Sequence, residues 1–197
     1  MKYSDKLKKL IAEKNGFIVT SDVTQANIPR QFLNQFVVDG LLEKVDRGAY
    51  VSPDSFDDEM YRLQMRFKPI IFSHDTALFF HGLTDRDPIN YTVTVYSGYQ
   101  TTKLKEQGVN TFSIKKELFE IGLSEGNTTF GRKVRMYDAE RAICDCLKSR
   151  SKMDIAVMTD AVKRYVADKE KNIPKLMRYA ELFKVASVLR GYLEVLL

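Results

Sequence analysis

Four polar side chains, Arg30, Gln31, Asn34 and Gln35, are spaced so that a helix would carry them on one side. At about 100° per residue they share an arc of about 140°. Phe32, Phe36, Leu33 and Val37 fall on the opposite side, and Val38 is the apolar exception among the polar residues. These are the residue types that read base edges. Arginine can pair with guanine O6 and N7, and asparagine or glutamine with adenine N6 and N7. Lys44 and Arg47 follow in a stretch that turns at Asp46-Arg47-Gly48, where their charge suits phosphate or the minor groove. Upstream, Thr20 and Ser21 offer hydroxyls that can cap a helix and complete the set of candidate DNA contacts: Thr20, Ser21, Arg30, Gln31, Asn34, Gln35, Lys44 and Arg47.

A second constellation comprises Ser73, His74, Asp75, His81, Asp85 and Asp87. His74 and His81 are the only histidines, and seven residues is about two helical turns, so both can share a face. Two histidines near aspartates could ligate a metal. The simpler account is stronger: Ser73 caps a helix, Asp75 sits in its first turn where the dipole favours an acid, and Gly82 stops it. Glu140, Arg141 and Asp145 have the spacing of an intrahelical ion pair with a buried anchor. There is no Gly-rich phosphate loop, no Gly-x-Ser-x-Gly elbow and no Cys-x-x-Cys pair. The sequence therefore nominates no catalytic residue, no cofactor and no metal ligand. Cys144 and Cys146, the only cysteines, point to different sides of a helix; they suit neither a disulfide nor a zinc site and fit a reducing cytoplasm.

Elements must position these groups. A first helix is capped at Thr20 or Ser21. A second starts at Ile28-Pro29-Arg30, where proline suits the first helical position, and ends at Gly40. Leu41–Val45 and Ala49–Val51 form a hairpin around Asp46-Arg47-Gly48. Together they predict a winged helix-turn-helix over residues 1–52. The acidic, proline-bearing stretch 53–58 has the composition of a linker. Beyond it, residues 59–197 predict a mixed α/β domain ending in helices, giving an α+β protein. Its expected elements are a helix Glu59–Phe67, a short apolar stretch Ile70–Phe72, a helix Asp75–His81, and strands at Ile89–Tyr96, Val109–Ile114, Phe119–Ile121 and Lys133–Tyr137. Helices capped by Asp138 and Asp154 follow, and a single long helix runs from Pro174 to the end.

The chain has 197 residues and a net charge of +5, unevenly spread. Residues 1–52 carry +2, residues 53–131 carry −3 and residues 132–197 carry +6. The basic excess thus sits mainly outside the base-reading segment, and Lys148, Arg150, Lys163 and Arg164 are possible second-domain contacts to DNA or another anion. No run of apolar residues is long enough for a membrane helix, and the N-terminus lacks a signal peptide's apolar core.

Two downstream motifs carry a resemblance. Ser73-His74-Asp75-Thr76-Ala77-Leu78-Phe79-Phe80-His81-Gly82-Leu83-Thr84-Asp85, with Pro88 after it, resembles the signature region of AbiEi-type antitoxins. Tyr137-Asp138-Ala139-Glu140-Arg141-Ala142-Ile143-Cys144-Asp145 resembles that family's motif before the terminal helices, and Arg47-Gly48-Ala49-Tyr50-Val51 resembles the end of its wing. Ala142 stands where the family often has threonine or another small polar residue, and no role is attached to it. The resemblance spans nearly the whole chain. It implies a two-domain antitoxin of a bacterial abortive-infection toxin–antitoxin pair. Such a protein represses its own operon by binding double-stranded operator DNA, here expected at inverted repeats. It also counters a cognate nucleotidyltransferase-like toxin in the type IV manner, without a stable complex, a phage-resistance device. The alternatives are a winged-helix transcription factor that senses a small molecule and, less favoured, a DNA-targeted nuclease.

Overall fold

The computed structural model describes residues 2–55 and 58–196. The chain forms two compact units, Met1–Arg66 with Thr128–Arg132, and Phe67–Asn127 with Lys133–Leu197.

The first unit runs α1 (Tyr3–Glu13), β1 (Phe17–Val19), α2 (Thr20–Gln25), α3 (Gln31–Val38), β2 (Glu43–Asp46), β3 (Ala49–Val51) and α4 (Glu59–Arg66). The three strands are antiparallel in the order β1-β3-β2. This is the arrangement of a winged helix-turn-helix, with β2 and β3 as the wing. Strand alternation sorts the core onto two faces. Ile18 and Tyr50 pack with Leu7, Val23, Leu33, Phe36 and Leu42. Phe17, Ala49 and Val51 face the other way, against Tyr61 and Met65 of α4.

Several local expectations shift. β1 is a strand that the sequence reading did not assign. The hydroxyl cap expected from Thr20 or Ser21 is not formed: Asp22 instead accepts from the Val19 amide at 3.0 Å. Thr20 donates both its amide (2.8 Å) and its hydroxyl (3.1 Å) to the Gly48 carbonyl. Helix α3 begins at Gln31, with Pro29 and Arg30 as its leading turn. Gly40 ends it at φ +68°, and the Leu41 amide returns to the Phe36 carbonyl at 2.8 Å, a left-handed C-terminal stop. Helix α4, placed by the sequence after a 53–58 linker, packs within the first unit; of that stretch, Phe56 and Asp57 lie outside the described residues.

The second unit holds β4 (Ile71–Phe72), α5 (His74–Phe80), β5 (Thr92–Tyr96), α6 (Thr102–Lys105), β6 (Asn110–Ile114), α7 (Lys116–Phe119), β7 (Leu123–Asn127) and β8 (Lys133–Tyr137). After these come α8 (Ala139–Lys148), a short 3-10 turn at Arg150–Lys152, α9 (Ile155–Ala167), α10 (Ile173–Leu182) and α11 (Ala186–Leu196). The sheet order is β6-β5-β4-β8-β7, with β5–β6 and β4–β8 parallel and the other two pairs antiparallel. Helix α8 is buried from Glu140 to Leu147 and forms the centre of the core with α5, α9 and α10.

Asp138 and Asp154 cap their helices, accepting from the Arg141 and Ala156 amides at 2.8 Å each. Two expectations fail here. Phe119–Ile121 is no strand: Phe119 closes α7 and the neighbouring strand is β7. The long terminal helix is two helices, because Lys184 adopts φ +61° and the chain turns between Phe183 and Val185, both buried. No helix among the described residues is long and apolar enough to cross a membrane.

Candidate nucleic-acid interface

The exposed side of α3 is polar because its other side supplies Leu33 and Phe36 to the core. Arg30, Gln31, Asn34 and Gln35 are all solvent-exposed, and Val38 is 81 % exposed beside them. They are not equally available. Arg30 leans back on α2, its Nε donating to the Thr24 hydroxyl at 3.3 Å. Gln35 donates its amide to Asp39 at 2.8 Å within the helix. The side chains of Gln31 and Asn34 make no hydrogen bond to other described residues. The N-terminal half of α3 therefore presents one guanidinium and two amides, donors and acceptors of the type that base edges match.

The wing is set by three contacts. Gly48, at φ +76°, allows the tight turn, and a Cβ there would sit 2.9 Å from the Thr20 hydroxyl. That close approach is what lets the Gly48 carbonyl take both Thr20 donors and lock the wing tip to the start of α2. Asp46 accepts from the Arg47 amide at 2.6 Å and from Arg66 Nη1 at 2.7 Å. Arg66 of α4, which the sequence reading did not nominate, thus neutralises the wing's only acid near its tip. Lys44 and Arg47 remain exposed. Thr20 is half-buried and spent on the wing, so its role is positional; Ser21 is exposed in the first turn of α2.

Residues 5–53 match the family model described as a transcriptional regulator, AbiEi antitoxin. Over these residues the chain is similar to the AbiEi antitoxin family. No curated protein matches the chain significantly in sequence. In fold the chain is similar to the crystal structure of the RV2827C protein from Mycobacterium tuberculosis, with a TM-score of 0.63 at 12 % identity over 96 % of this chain and 76 % of that one.

The AbiEi-type segment ends with the wing, and the remaining nominated cations lie on the second unit. Lys148, Arg150 and Lys163 are exposed. Arg150 donates to the Leu147 carbonyl at 3.2 Å. Arg164 pairs with both oxygens of Asp85 and, through Nε at 2.8 Å, with Asp160. Two carboxylates already match its charge. The two histidines part company: His74 is buried with its Nε2 3.1 Å from the Ser149 hydroxyl, and His81 Nε2 lies 2.8 Å from the Tyr137 carbonyl. Among the described residues no group of three metal-ligating side chains converges. Cys144 and Cys146 are both buried thiols, and burial pushes Cys144 up to about 12.

Proposed function

We propose that this protein is an antitoxin and autorepressor: it binds the promoter of its own operon through the winged helix and counters a nucleotidyltransferase-like toxin. The supporting observation is the exposed Arg30-Gln31-Asn34 face at the start of α3, in a segment similar to a family of antitoxin regulators. In this reading α3 enters the major groove with those three residues against base edges, and α2 crosses the phosphate backbone. The wing, held by Thr20 and Arg66, carries Lys44 and Arg47 to the backbone or the adjacent minor groove. The operator is an inverted repeat bound by two copies. Neutralisation belongs to the second unit and proceeds without a stable complex.

Fluorescence anisotropy with DNA from upstream of the gene, against a scrambled duplex of equal length, tests the reading. Arg30→Ala with Asn34→Ala is expected to abolish the preference for the operator, each base contact being worth about 1–3 kcal/mol of discrimination. Lys44→Ala with Arg47→Ala is expected to weaken both duplexes alike and to reduce the salt slope by roughly one for each phosphate that loses its cation. An Arg30/Asn34 variant that holds the operator as tightly as the wild type refutes the placement of α3. For the second half, co-expression with the adjacent toxin-like gene is expected to show rescue of growth by the full chain, and equally by the Arg30/Asn34 variant. Failure of both to rescue removes the antitoxin role.

A further inference from the structure

Val38 stands at the middle of the polar face of α3. With Arg30 at 0° and about 100° per residue, it falls at about 80°, between Asn34 at about 40° and Gln31 at about 100°. The buried Leu33 and Phe36 fall at about 300° and about 240°, so Val38 points almost directly away from the core. It is 81 % exposed. An apolar side chain at the edge of a buried stripe is ordinary overspill. Val38 is not at that edge: Leu33 and Phe36 fill the core side, and the half-buried Phe32 and Val37 are its two flanks.

The surroundings of Val38 belong to base reading. Helical Cα–Cβ bonds tilt toward the N-terminus, so its methyl groups lie over the turn that carries Asn34, four residues earlier. Asn34 is itself exposed. Gln35, on the other side, commits its amide nitrogen to Asp39 at 2.8 Å. The C-terminal half of the face therefore offers apolar contact where the N-terminal half offers donors and acceptors.

Among the base edges of the major groove, thymine presents an apolar feature, its 5-methyl group, beside the O4 acceptor. A valine pressed on a cytosine amine or a guanine O6 would instead strip water from a polar group and return no bond. We infer that Val38 is a specificity-determining residue that packs on the 5-methyl group of a thymine, next to the adenine that Asn34 pairs with. This role rests on the placement of α3 in the major groove proposed above, and it gives each half-site A·T pairs under the C-terminal half of the helix.

Anisotropy titrations of wild type and Val38→Ala test it, each with the upstream duplex and with the same duplex carrying deoxyuridine for every thymine. Uracil pairs as thymine does and lacks only the methyl group. Alanine is the better helix former at this exposed position, and circular dichroism checks that the variant keeps its fold. Wild type is expected to lose roughly fourfold in affinity per half-site on the uracil duplex, the effect of burying about one methyl group less. Val38→Ala is expected to bind the thymine duplex about as weakly as wild type binds the uracil duplex, and to lose little more when uracil replaces thymine. No loss in wild type on the uracil duplex would overturn the role. So would the same fold-loss in both proteins, which would leave Val38 as a contact between protein chains. A wild type that does not prefer the upstream duplex over a scrambled one sinks the operator reading and this role together; preference for the operator without the uracil effect sinks this role alone.

Discussion

His74 holds a left-handed backbone at φ +52° while its ring stacks on Phe112 with centroids 3.8 Å apart. Its two nitrogens are engaged by Ser73 at 2.9 Å and Ser149 at 3.1 Å. With Thr94 donating to the Ser73 hydroxyl, the chain of bonds closes if Ser73 donates to Nδ1 and Nε2–H donates to Ser149. That requires a neutral ring, and burial beside Arg141 and Lys148 supplies it by lowering the pKa from 6.5 to about 3. The consequence has a definite sign. Between about pH 6.5 and 3 the unfolded chain binds a proton here that the folded chain refuses, so stability falls as pH falls through that window. At pH 5 the loss relative to pH 7 is about 2 kcal/mol. Asp145, which burial raises to about 6, contributes a slope of the opposite sign in an overlapping range. The difference between wild type and His74→Asn therefore isolates the histidine; asparagine tolerates the left-handed backbone and does not titrate. Urea unfolding at pH 7 and pH 5 is expected to show the variant losing less stability than the wild type over that interval. Identical losses would show that the ring is not the titrating group.

The elements show where pattern suffices and where it fails. Lys133–Tyr137 was legible to the residue, and the Asp138 and Asp154 caps also emerged from sequence because each follows from a local rule about one side chain and three amides. The α3 face was legible for the same reason: period and charge agree there. The break between α10 and α11 was not, because a lysine at φ +61° carries no sequence signal and the apolar period continues across it through Phe183 and Val185. What forces the turn is burial of both flanking side chains together with the Val185 amide reaching the Ala180 carbonyl at 2.8 Å. The non-glycine left-handed residue costs about 1–2 kcal/mol, so Lys184→Gly is expected to raise stability by about 1 kcal/mol even after the unfolded chain's added freedom. A higher midpoint in urea with unchanged helicity checks it; a lower midpoint would mean the lysine side chain supports the turn. Likewise β1 escaped notice because three residues, Phe17–Val19, are too few for alternation to register, and only pairing with β3 defines them.

At the scale of the molecule, neither compact unit is one continuous stretch of chain, and that is the feature least visible in sequence. The winged-helix unit draws in Thr128–Arg132, which lies far beyond the end of α4 in chain order. The reason lies in Asp58. It is 1 % exposed, yet it is surrounded by partners: the Thr128 hydroxyl, the Tyr61 amide at 3.0 Å and Arg132 Nη1 at 3.4 Å. Arg132 also donates to the Asn15 carbonyl at 2.9 Å and to Ser55 at 3.1 Å, with Phe17 and Tyr61 5.6 Å and 5.9 Å from its guanidinium. One arginine thus ties Asn15 after α1, Phe17 of β1, Ser55, Asp58 and Tyr61 of α4 into one unit. These partners include none of the proposed DNA contacts, so Arg132 is expected to govern DNA binding through stability alone. Removing one member of a buried pair costs about 3–5 kcal/mol, and since Asp58 keeps two other donors, Arg132→Met belongs at the lower end, about 3 kcal/mol. Asp58→Asn combined with Arg132→Met is expected to cost less than the two single changes added, because the second change then strands no charge. Operator affinity of Arg132→Met should equal that of the wild type in the cold and drop sharply as its lowered melting temperature is approached. Unfolding in urea within about 0.5 kcal/mol of wild type, the range of an ordinary surface change, would show that the segment is an ornament of the winged helix and not one of its supports.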